Sequence, residues 1–210
     1  MKKILALLLA VSALLGGCIA GPTPAETIHP SSPATLPTEE TAPTNPTEET
    51  APPTGFTPGF VMPDFRVTTA KGEELSLHEL LQEKKLVVLN FWFADCPWCL
   101  KEFPAIEVSY QRYRSDIEIL ALNPYDSTSV IASFMEESRL TFPGASCAPE
   151  LAQRLSVRAY PTSVFIDREG KISLIHTGAL SDSRIWDRVF EFYTQDDYRH
   201  QVFAHIEDIP

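Results

Sequence analysis

The sequence predicts an α/β domain in which helices flank a central mixed β-sheet. Residues 86–93 read Leu-Val-Val-Leu-Asn-Phe-Trp-Phe, a nearly continuous apolar run that is typical of a strand buried on both faces. Downstream of this run, strand-like and helix-like segments alternate, and the last two strands are separated by a turn alone. Alternation that ends in a hairpin favours an α/β arrangement around a mixed sheet.

The individual elements follow in chain order. Phe65 and Val67 alternate with polar neighbours ahead of the turn-like Lys71-Gly72-Glu73, which predicts an N-terminal hairpin. Further strands are predicted at 86–93, 117–122, 163–167 and 171–176, and helices at 97–114, 127–137, 149–155 and 183–193. The folded domain is placed at residues 59–195. The final segment, 196–210, is polar with scattered aromatics, and its structure is left unassigned.

The first 17 residues have the features of an export signal. Two lysines precede an apolar stretch from Ile4 to Leu15, and two glycines follow. The apolar stretch is shorter than the ~20 residues needed to cross a bilayer. The ending Leu-Gly-Gly-Cys resembles the bacterial lipoprotein signal. That resemblance implies that Cys18 is acylated on its sulfur and becomes the mature N-terminus, anchored to the extracytoplasmic face of a bacterial membrane.

Residues 18–58 are predicted to form a flexible stalk between this anchor and the domain. Residues 19–58 contain ten prolines, ten threonines and five glutamates but no Lys or Arg, and Pro-Thr-Glu-Glu-Thr-Ala-Pro occurs at 37–43 and again at 46–52. Such proline density excludes regular helices and strands, and there is too little apolar surface to offset the entropy of ordering. The alternative is a proline-rich ligand for a partner module.

The charge of the chain argues against nucleic acid as a partner. The formal net charge is −11. Cleavage before Cys18 would remove two lysines and leave 15 basic against 28 acidic residues, a charge of −13. So acidic a surface repels phosphate backbones.

Cys96 and Cys99 carry the predicted chemistry. The segment Cys96-Pro97-Trp98-Cys99 directly follows the predicted buried strand and opens a predicted helix. Peptide dipoles at a helix N-terminus favour a thiolate, which is the form that attacks a disulfide. The two-residue spacing lets the second sulfur reach the first and resolve a mixed disulfide. We therefore predict a redox-active disulfide with no cofactor, because the two sulfurs carry the electrons themselves.

Two other interpretations of this cysteine pair stay open at the level of sequence. Half of a zinc site would need two more Cys or His ligands, but the histidines at 29, 78, 176, 200 and 205 form no pair with the usual spacing, and no metal is predicted. A purely structural disulfide is compatible with an oxidising compartment.

Two segments are similar to the TlpA/ResA-like thioredoxin-fold family. Residues 90–104 read Asn-Phe-Trp-Phe-Ala-Asp-Cys-Pro-Trp-Cys-Leu-Lys-Glu-Phe-Pro. Family members usually read close to Asn-Phe-Trp-Ala-Thr-Trp-Cys-Pro-Pro-Cys, then a basic residue and Glu-Phe-Pro. Residues 157–167, Val-Arg-Ala-Tyr-Pro-Thr-Ser-Val-Phe-Ile-Asp, resemble the segment that bears the family's cis-proline. The likeness covers roughly residues 58–193. It implies a thioredoxin-like fold with an N-terminal β-hairpin addition and an insertion in the middle.

The resemblance also implies roles for individual residues. Cys96 would be the exposed nucleophile, Cys99 the buried resolving thiol, and Glu102 an acid that assists proton transfer. Pro161 would be cis and would bring the backbone of Tyr160 against the active-site sulfur, where it can hold a substrate chain.

Three positions depart from the family's pattern. Asp95 stands where the family usually has tryptophan, and a carboxylate beside Cys96 opposes thiolate formation unless it turns into solvent. Trp98 places an aromatic ring between the cysteines, where it can tune the redox potential and bind substrate. Cys147 lies where the family often has aspartate, and it is either a small buried hydrophobe or a third redox thiol.

The predicted function is that of an extracytoplasmic, membrane-anchored thiol–disulfide oxidoreductase. The resemblance favours a net reductant of disulfides in exported proteins that receives electrons from a membrane thiol carrier. It implies apocytochromes c before haem attachment, or surface methionine sulfoxide reductases, as clients.

Two alternative functions are kept. Peroxiredoxins share the fold and an N-terminal hairpin, but they typically carry threonine three residues before the attacking cysteine, where this chain has Phe93. The other alternative is a non-enzymatic surface binding module with a structural disulfide, which would resist reduction.

Overall fold

The structure, a computed structural model, describes residues 53–210. The predicted export signal, the lipid attachment at Cys18 and most of the predicted stalk lie outside the described residues. Within 53–210, no helix is both long and apolar enough to cross a membrane.

The described chain forms a five-stranded mixed sheet with helices on both faces and a separate two-stranded hairpin at its start. The elements in chain order are β1 (Arg66–Thr68), β2 (Glu74–Ser76), α1 (Leu77–Glu83), β3 (Leu86–Phe91), α2 (Pro97–Tyr113), β4 (Ile117–Asn123), α3 (Thr128–Glu137), β5 (Gly144–Ser146), α4 (Pro149–Arg154), β6 (Thr162–Asp167), β7 (Ile172–Thr177), α5 (Ser183–Thr194) and a 3₁₀ turn (Ile206–Asp208).

The sheet order is β5-β4-β3-β6-β7, so the predicted mixed sheet is confirmed. The β3–β4 and β4–β5 pairs are parallel, whereas β6 is antiparallel to both β3 and β7. All six residues of the central strand β3 are buried, as its continuous apolar run predicts. Side chains of α2, α3 and α5 pack on one face of the sheet, while the β1–β2 hairpin, α1 and α4 pack on the other.

Two elements were not predicted because their formation depends on tertiary contacts. Helix α1 has only seven residues and begins directly after β2, where the hydroxyl of Ser76 accepts the backbone N–H of Glu79. Strand β5 has three residues, and the hairpin covers its outer edge, where the N–H of Ala70 donates to the carbonyl of Gly144. A Cβ at Gly144 would lie 2.8 Å from Cγ of Met135, so glycine allows α3 to pack closely there.

Both ends of the described chain are part of the folded unit. Residues 53–58, which the sequence assigns to the stalk, include Gly55, whose N–H donates to the carbonyl of Val61 at 2.9 Å. The unassigned segment 196–210 buries four large side chains, those of Tyr198, Phe203, Ile206 and Ile209. The hydroxyl of Tyr198 also donates to buried Asp167 at 2.8 Å. These apolar residues have no helical or strand period, so the sequence alone did not indicate that they are buried.

Candidate active site

The two cysteines lie where the central strand gives way to a helix. Strand β3 ends at Phe91, and α2 begins at Pro97 with Cys96 as its N-cap residue. Cys96 and Cys99 form a disulfide, and Sγ of Cys96 accepts the backbone N–H of Cys99 at 3.2 Å. The loop between β3 and α2 is tied to the loop after β4, because Oδ2 of Asp126 accepts the N–H of Ala94 at 2.7 Å. Because Cys96 is the N-cap residue of α2 and its Sγ accepts a backbone N–H of the first turn, the helix N-terminus is directed at this sulfur and would stabilise its thiolate.

Cys96 is not exposed in this disulfide form, contrary to the prediction for the nucleophile. Only 2% of Cys96 is accessible to solvent, and Cys99 is fully buried. The physical reason is that the Cys96 sulfur is bonded to Cys99 and accepts a backbone N–H of the first turn of α2, so it points toward the helix and not toward solvent. Solvent reaches Pro97 and Trp98 instead, and Trp98 is 59% exposed.

Glu102 lies one helical turn after Cys99 and is fully buried. Its Oε1 accepts the backbone N–H of Leu180, and its Oε2 accepts Nδ2 of Asn90, both at 3.0 Å. Burial raises the pKa of Glu102 to about 7, and these two hydrogen bonds only partly oppose that shift. The carboxyl can therefore gain or lose a proton near neutral pH, which suits a general acid or base.

Asn90 and Ser163 complete this buried group and were not identified from the sequence. They are directly opposite each other on the antiparallel strands β3 and β6. Nδ2 of Asn90 donates to Oγ of Ser163 at 3.0 Å as well as to Glu102. An asparagine inside an otherwise apolar strand was the available signal, since a buried amide needs polar partners.

The Tyr160–Pro161 peptide bond is cis, as the resemblance implies. Pro161 is buried and directly precedes β6, whose first residue, Thr162, pairs with Phe91 at the end of β3. This register places the cis-proline segment at the same end of the sheet as the disulfide.

Three aromatic rings from three separate segments cluster at this end of the sheet. Phe93 follows β3, Tyr125 follows β4, and Tyr160 precedes β6. Their ring centroids lie 5.4 to 6.0 Å apart, and the hydroxyl of Tyr160 donates to that of Tyr125 at 3.0 Å. Tyr125 is 65% exposed, so the cluster offers an aromatic surface to solvent. Phe93 was noted in the sequence only as a departure from peroxiredoxins, and Tyr125 was not identified.

The exposed residues around the cysteines provide a second apolar surface. Besides Trp98, Leu100 on the first turns of α2 is 43% exposed. The ammonium group of Lys101 lies 4.2 Å from the centroid of the Trp98 ring, which orients this ring on the surface. Asp95 is exposed, so water screens the repulsion that its carboxylate would exert on a thiolate at Cys96.

Cys147 has a different environment from the disulfide. It is a free, buried cysteine in the core on the hairpin side of the sheet, whereas Cys96 and Cys99 belong to the core on the other side. Burial raises the pKa of its thiol to about 12. A thiol that stays protonated at neutral pH is a poor nucleophile, so the described surroundings favour the small buried hydrophobe over a third redox thiol.

No group of three or more Cys, His, Asp or Glu side chains within residues 53–210 is arranged to hold a metal ion. The two cysteine sulfurs are bonded to each other. The site therefore consists of the disulfide, the buried carboxyl network and the aromatic surface.

The sequence also matches known proteins. Residues 58–175, more than half of the chain, match the model of the AhpC/TSA family. The chain belongs to this family. It is 31% identical over 124 residues to the thiol-disulfide oxidoreductase ResA of Halalkalibacterium halodurans, across 58% of this chain and 69% of ResA. It is 32% identical over 127 residues to ResA of Bacillus subtilis, across 60% and 70% of the two chains.

The solved structure of StoA from Bacillus subtilis has a TM-score of 0.51 to this AhpC/TSA-family protein at 25% identity. The aligned region covers 63% of this chain and 97% of StoA. The predicted thioredoxin-like fold and the resemblance to ResA-like proteins are confirmed, and the enzyme is a thiol–disulfide oxidoreductase. The names of these relatives favour this activity over a thiol peroxidase or a non-enzymatic binding module.

Replacing Glu102 with Gln should remove one pH-dependent contribution to stability. The pKa of Glu102 is raised from 4.5 to about 7, so folding favours the protonated form. That contribution is fully present below pH ~4.5 and is lost as the pH rises through about 7. The loss is about 3 kcal/mol at ~1.4 kcal/mol per pH unit. We would measure the free energy of unfolding of the oxidised protein in urea. Between pH 4.5 and 8 the parent should lose up to this amount of stability that Glu102→Gln does not lose.

The matched control is Glu83→Gln, which alters an exposed carboxyl at the end of α1. Its stability should follow that of the parent at every pH. Parallel curves for Glu102→Gln and the parent would show that Glu102 does not titrate in this range.

Proposed function

We propose that the protein reduces disulfides of exported proteins, with Cys96 and Cys99 as the reacting dithiol. The observation that carries this proposal is the disulfide at the N-terminus of α2, one helical turn ahead of a buried carboxyl that titrates near neutral pH. The helix N-terminus favours a thiolate at Cys96, and Glu102 supplies a proton acceptor inside the site. The two sulfurs carry the electrons, so the reaction needs no cofactor.

The reaction proceeds in two exchanges. In the first, the thiolate of reduced Cys96 attacks a client disulfide, forms a mixed disulfide and releases one client sulfur as a thiolate. In the second, the Cys99 thiol loses its proton to the carboxylate of Glu102. The Cys99 thiolate then attacks Sγ of Cys96 and releases the second client sulfur. The enzyme is left with the Cys96–Cys99 disulfide, the client gains two electrons, and the proton on Glu102 passes to the released thiolate.

In the disulfide form Cys96 is only 2% exposed, so we expect the client to bind directly at the N-terminus of α2. The backbone of Tyr160, next to cis Pro161, is placed to hold an extended client segment, as in the family that the sequence resembles. The exposed rings of Trp98, between the two cysteines, and of Tyr125, in the aromatic cluster, provide contact area for a client. Aromatic side chains of this kind dominate the affinity of many interfaces.

The location that fits this activity is the extracytoplasmic face of a bacterial membrane. The export signal and the lipoprotein-like ending at Cys18 support a lipid anchor, and the proline-rich segment that follows would act as a spacer. A membrane thiol carrier would then return the disulfide to the dithiol. Apocytochromes c and surface methionine sulfoxide reductases remain the two proposed client classes.

A reversible redox couple is the first expected outcome. The full-length protein is equilibrated in glutathione or dithiothreitol buffers, and the thiols are trapped and quantified by mass spectrometry. We expect a two-electron midpoint between about −300 and −120 mV, whose position separates a reductant from an oxidant. Cys147→Ser should keep this midpoint, whereas Cys99→Ser should accumulate a mixed disulfide at Cys96. A disulfide that resists reduction until the protein unfolds would instead identify a structural crosslink.

The exposed aromatic rings should affect the binding of a protein client more than the chemistry of the dithiol. With insulin as the client, Trp98→Ala and Tyr125→Ala should each raise KM roughly tenfold, because each removes an exposed aromatic contact. The rate of reaction with dithiothreitol should stay within about twofold.

Val202→Ala is the matched control, because Val202 is another large, exposed apolar residue, 53% accessible. It lies against Gly59, which pairs with Ile172 at the end of β7 away from the cis-proline. Val202→Ala should keep the parent's KM. If Trp98→Ala and Tyr125→Ala kept it as well, these two exposed rings would have no role in client binding.

Cys18 should carry the lipid. In cells that are fed a labelled fatty acid, the parent and Cys147→Ala should be labelled and should sediment with membranes. Cys18→Ala should lose the label and leave the membrane fraction, since a thioether-linked lipid needs the sulfur of residue 18. Retention of the label by Cys18→Ala would place the lipid elsewhere.

A further inference from the structure

The carboxyl of Glu102 faces only uncharged hydrogen-bond donors. From β3 comes the amide of Asn90, and from the loop before α5 comes the N–H of Leu180. The hydroxyl of Ser163, on β6, reaches Glu102 only through the amide of Asn90. On its own helix, Cys99 lies three residues earlier and becomes a titratable thiol only when the disulfide is reduced. No charged side chain of the described residues contributes to the pKa of Glu102.

Two hydrogen bonds, both donated by Nδ2, orient the side-chain amide of Asn90. Its Nδ2 carries two hydrogens, and they are directed to Glu102 and to Ser163, each at 3.0 Å. Asn90, Ser163 and Glu102 are all at most 1% exposed, so water does not compete for these bonds. Ser163 thus fixes the rotation of the amide, and the amide donates to the carboxylate.

The same amide can serve both protonation states of Glu102. Oδ1 of Asn90 is buried and accepts no hydrogen bond from the described residues. Nδ2 donates to Oε2 of Glu102, and this is the hydrogen bond that an ionised carboxylate accepts. When Glu102 is protonated, Nδ2 can still donate to the carboxyl oxygen that does not carry the proton. An apolar side chain could do neither, and an aspartate would add a second buried acid.

We propose that Asn90 and Ser163 are positioning residues for the dithiol reaction, which hold the Glu102 carboxyl in place and set the pH range in which it accepts the proton of Cys99. This inference rests on the proposed role of Glu102 as the base for Cys99. The step breaks the S–H bond of Cys99 and forms an O–H bond on Glu102, and neither Asn90 nor Ser163 gains or loses a proton.

The proposal is tested by ¹³C NMR of the Glu102 side-chain carboxyl in the full-length, oxidised protein. Asn90→Leu removes the donor at nearly constant volume, so the titration midpoint should rise by roughly one pH unit. Ser163→Val and Ser163→Thr form a matched pair, because they add the same branched shape and only threonine keeps the hydroxyl. The midpoint should rise in Ser163→Val and stay at the parent's value in Ser163→Thr.

A second measurement connects the network to the reaction. The rate of client release from the mixed disulfide is measured against pH, and its midpoint should move in Asn90→Leu by the shift seen for the carboxyl. In a Glu102→Gln background, Asn90→Leu should not shift the pH profile of the rate. A merely structural role for Asn90 would change stability without this Glu102-dependent displacement of the pH profile.

The failures are distinguishable. If the carboxyl midpoint is the same in all folded variants while the parent's rate still follows it, the positioning role is wrong and the proposed base stands. If the carboxyl midpoint moves but the pH profile of the rate does not, Glu102 is not the base for Cys99, and both proposals fail. The Ser163 pair decides the first case even if Asn90→Leu does not fold.

Discussion

A carboxyl group buried without a counter-ion is the constraint around which this active site is arranged. Burial disfavours the charge on Glu102, and two uncharged donors offset only part of that cost, so the pKa settles at about 7. A lysine or arginine beside Glu102 would lower the pKa of the carboxyl and keep it ionised, so that it could no longer take up and return a proton near neutral pH. Ionisation of buried Glu102 above neutral pH therefore lowers the stability of the fold, while the same burial lets this carboxyl exchange a proton near neutral pH. The surrounding elements each supply one part of this arrangement: α2 carries the acid, β3 the amide and the loop before α5 a backbone donor.

The sheet topology explains why distant segments meet at the disulfide. The parallel β3–β4 pair brings the loops after these two strands together, and the antiparallel β6 begins where β3 ends. Each of the three segments contributes one ring to the aromatic surface, and Asp126 fastens the first two segments to each other. Positioning by strand ends is more exact than positioning within a long loop, because every strand is held by its neighbours.

Environment, and not residue type, separates the cysteines of the described domain. Cys96 caps a helix whose dipoles favour a thiolate, and its partner is one turn away. Cys147 lies in an apolar core on the opposite face of the sheet, where burial raises the pKa of its thiol to about 12. The same side chain is therefore suited to redox chemistry in one place and to apolar packing in the other.

The sequence by itself determined the mixed α/β fold, the chief strands and helices and the disulfide pair Cys96 and Cys99, because these depend on local periodicity and on the spacing of two residues along one helix. Only the tertiary structure decided that Glu102 is buried, that Asn90 and Ser163 hold it, and that Tyr125 joins Tyr160 and Phe93 in one surface. It also decided that 196–210 packs on the domain and that Cys96 is covered in the disulfide form. These features arise from contacts between residues far apart in the chain, and burial, which sets the chemistry of an acid or a thiol, is a property of all the neighbours together.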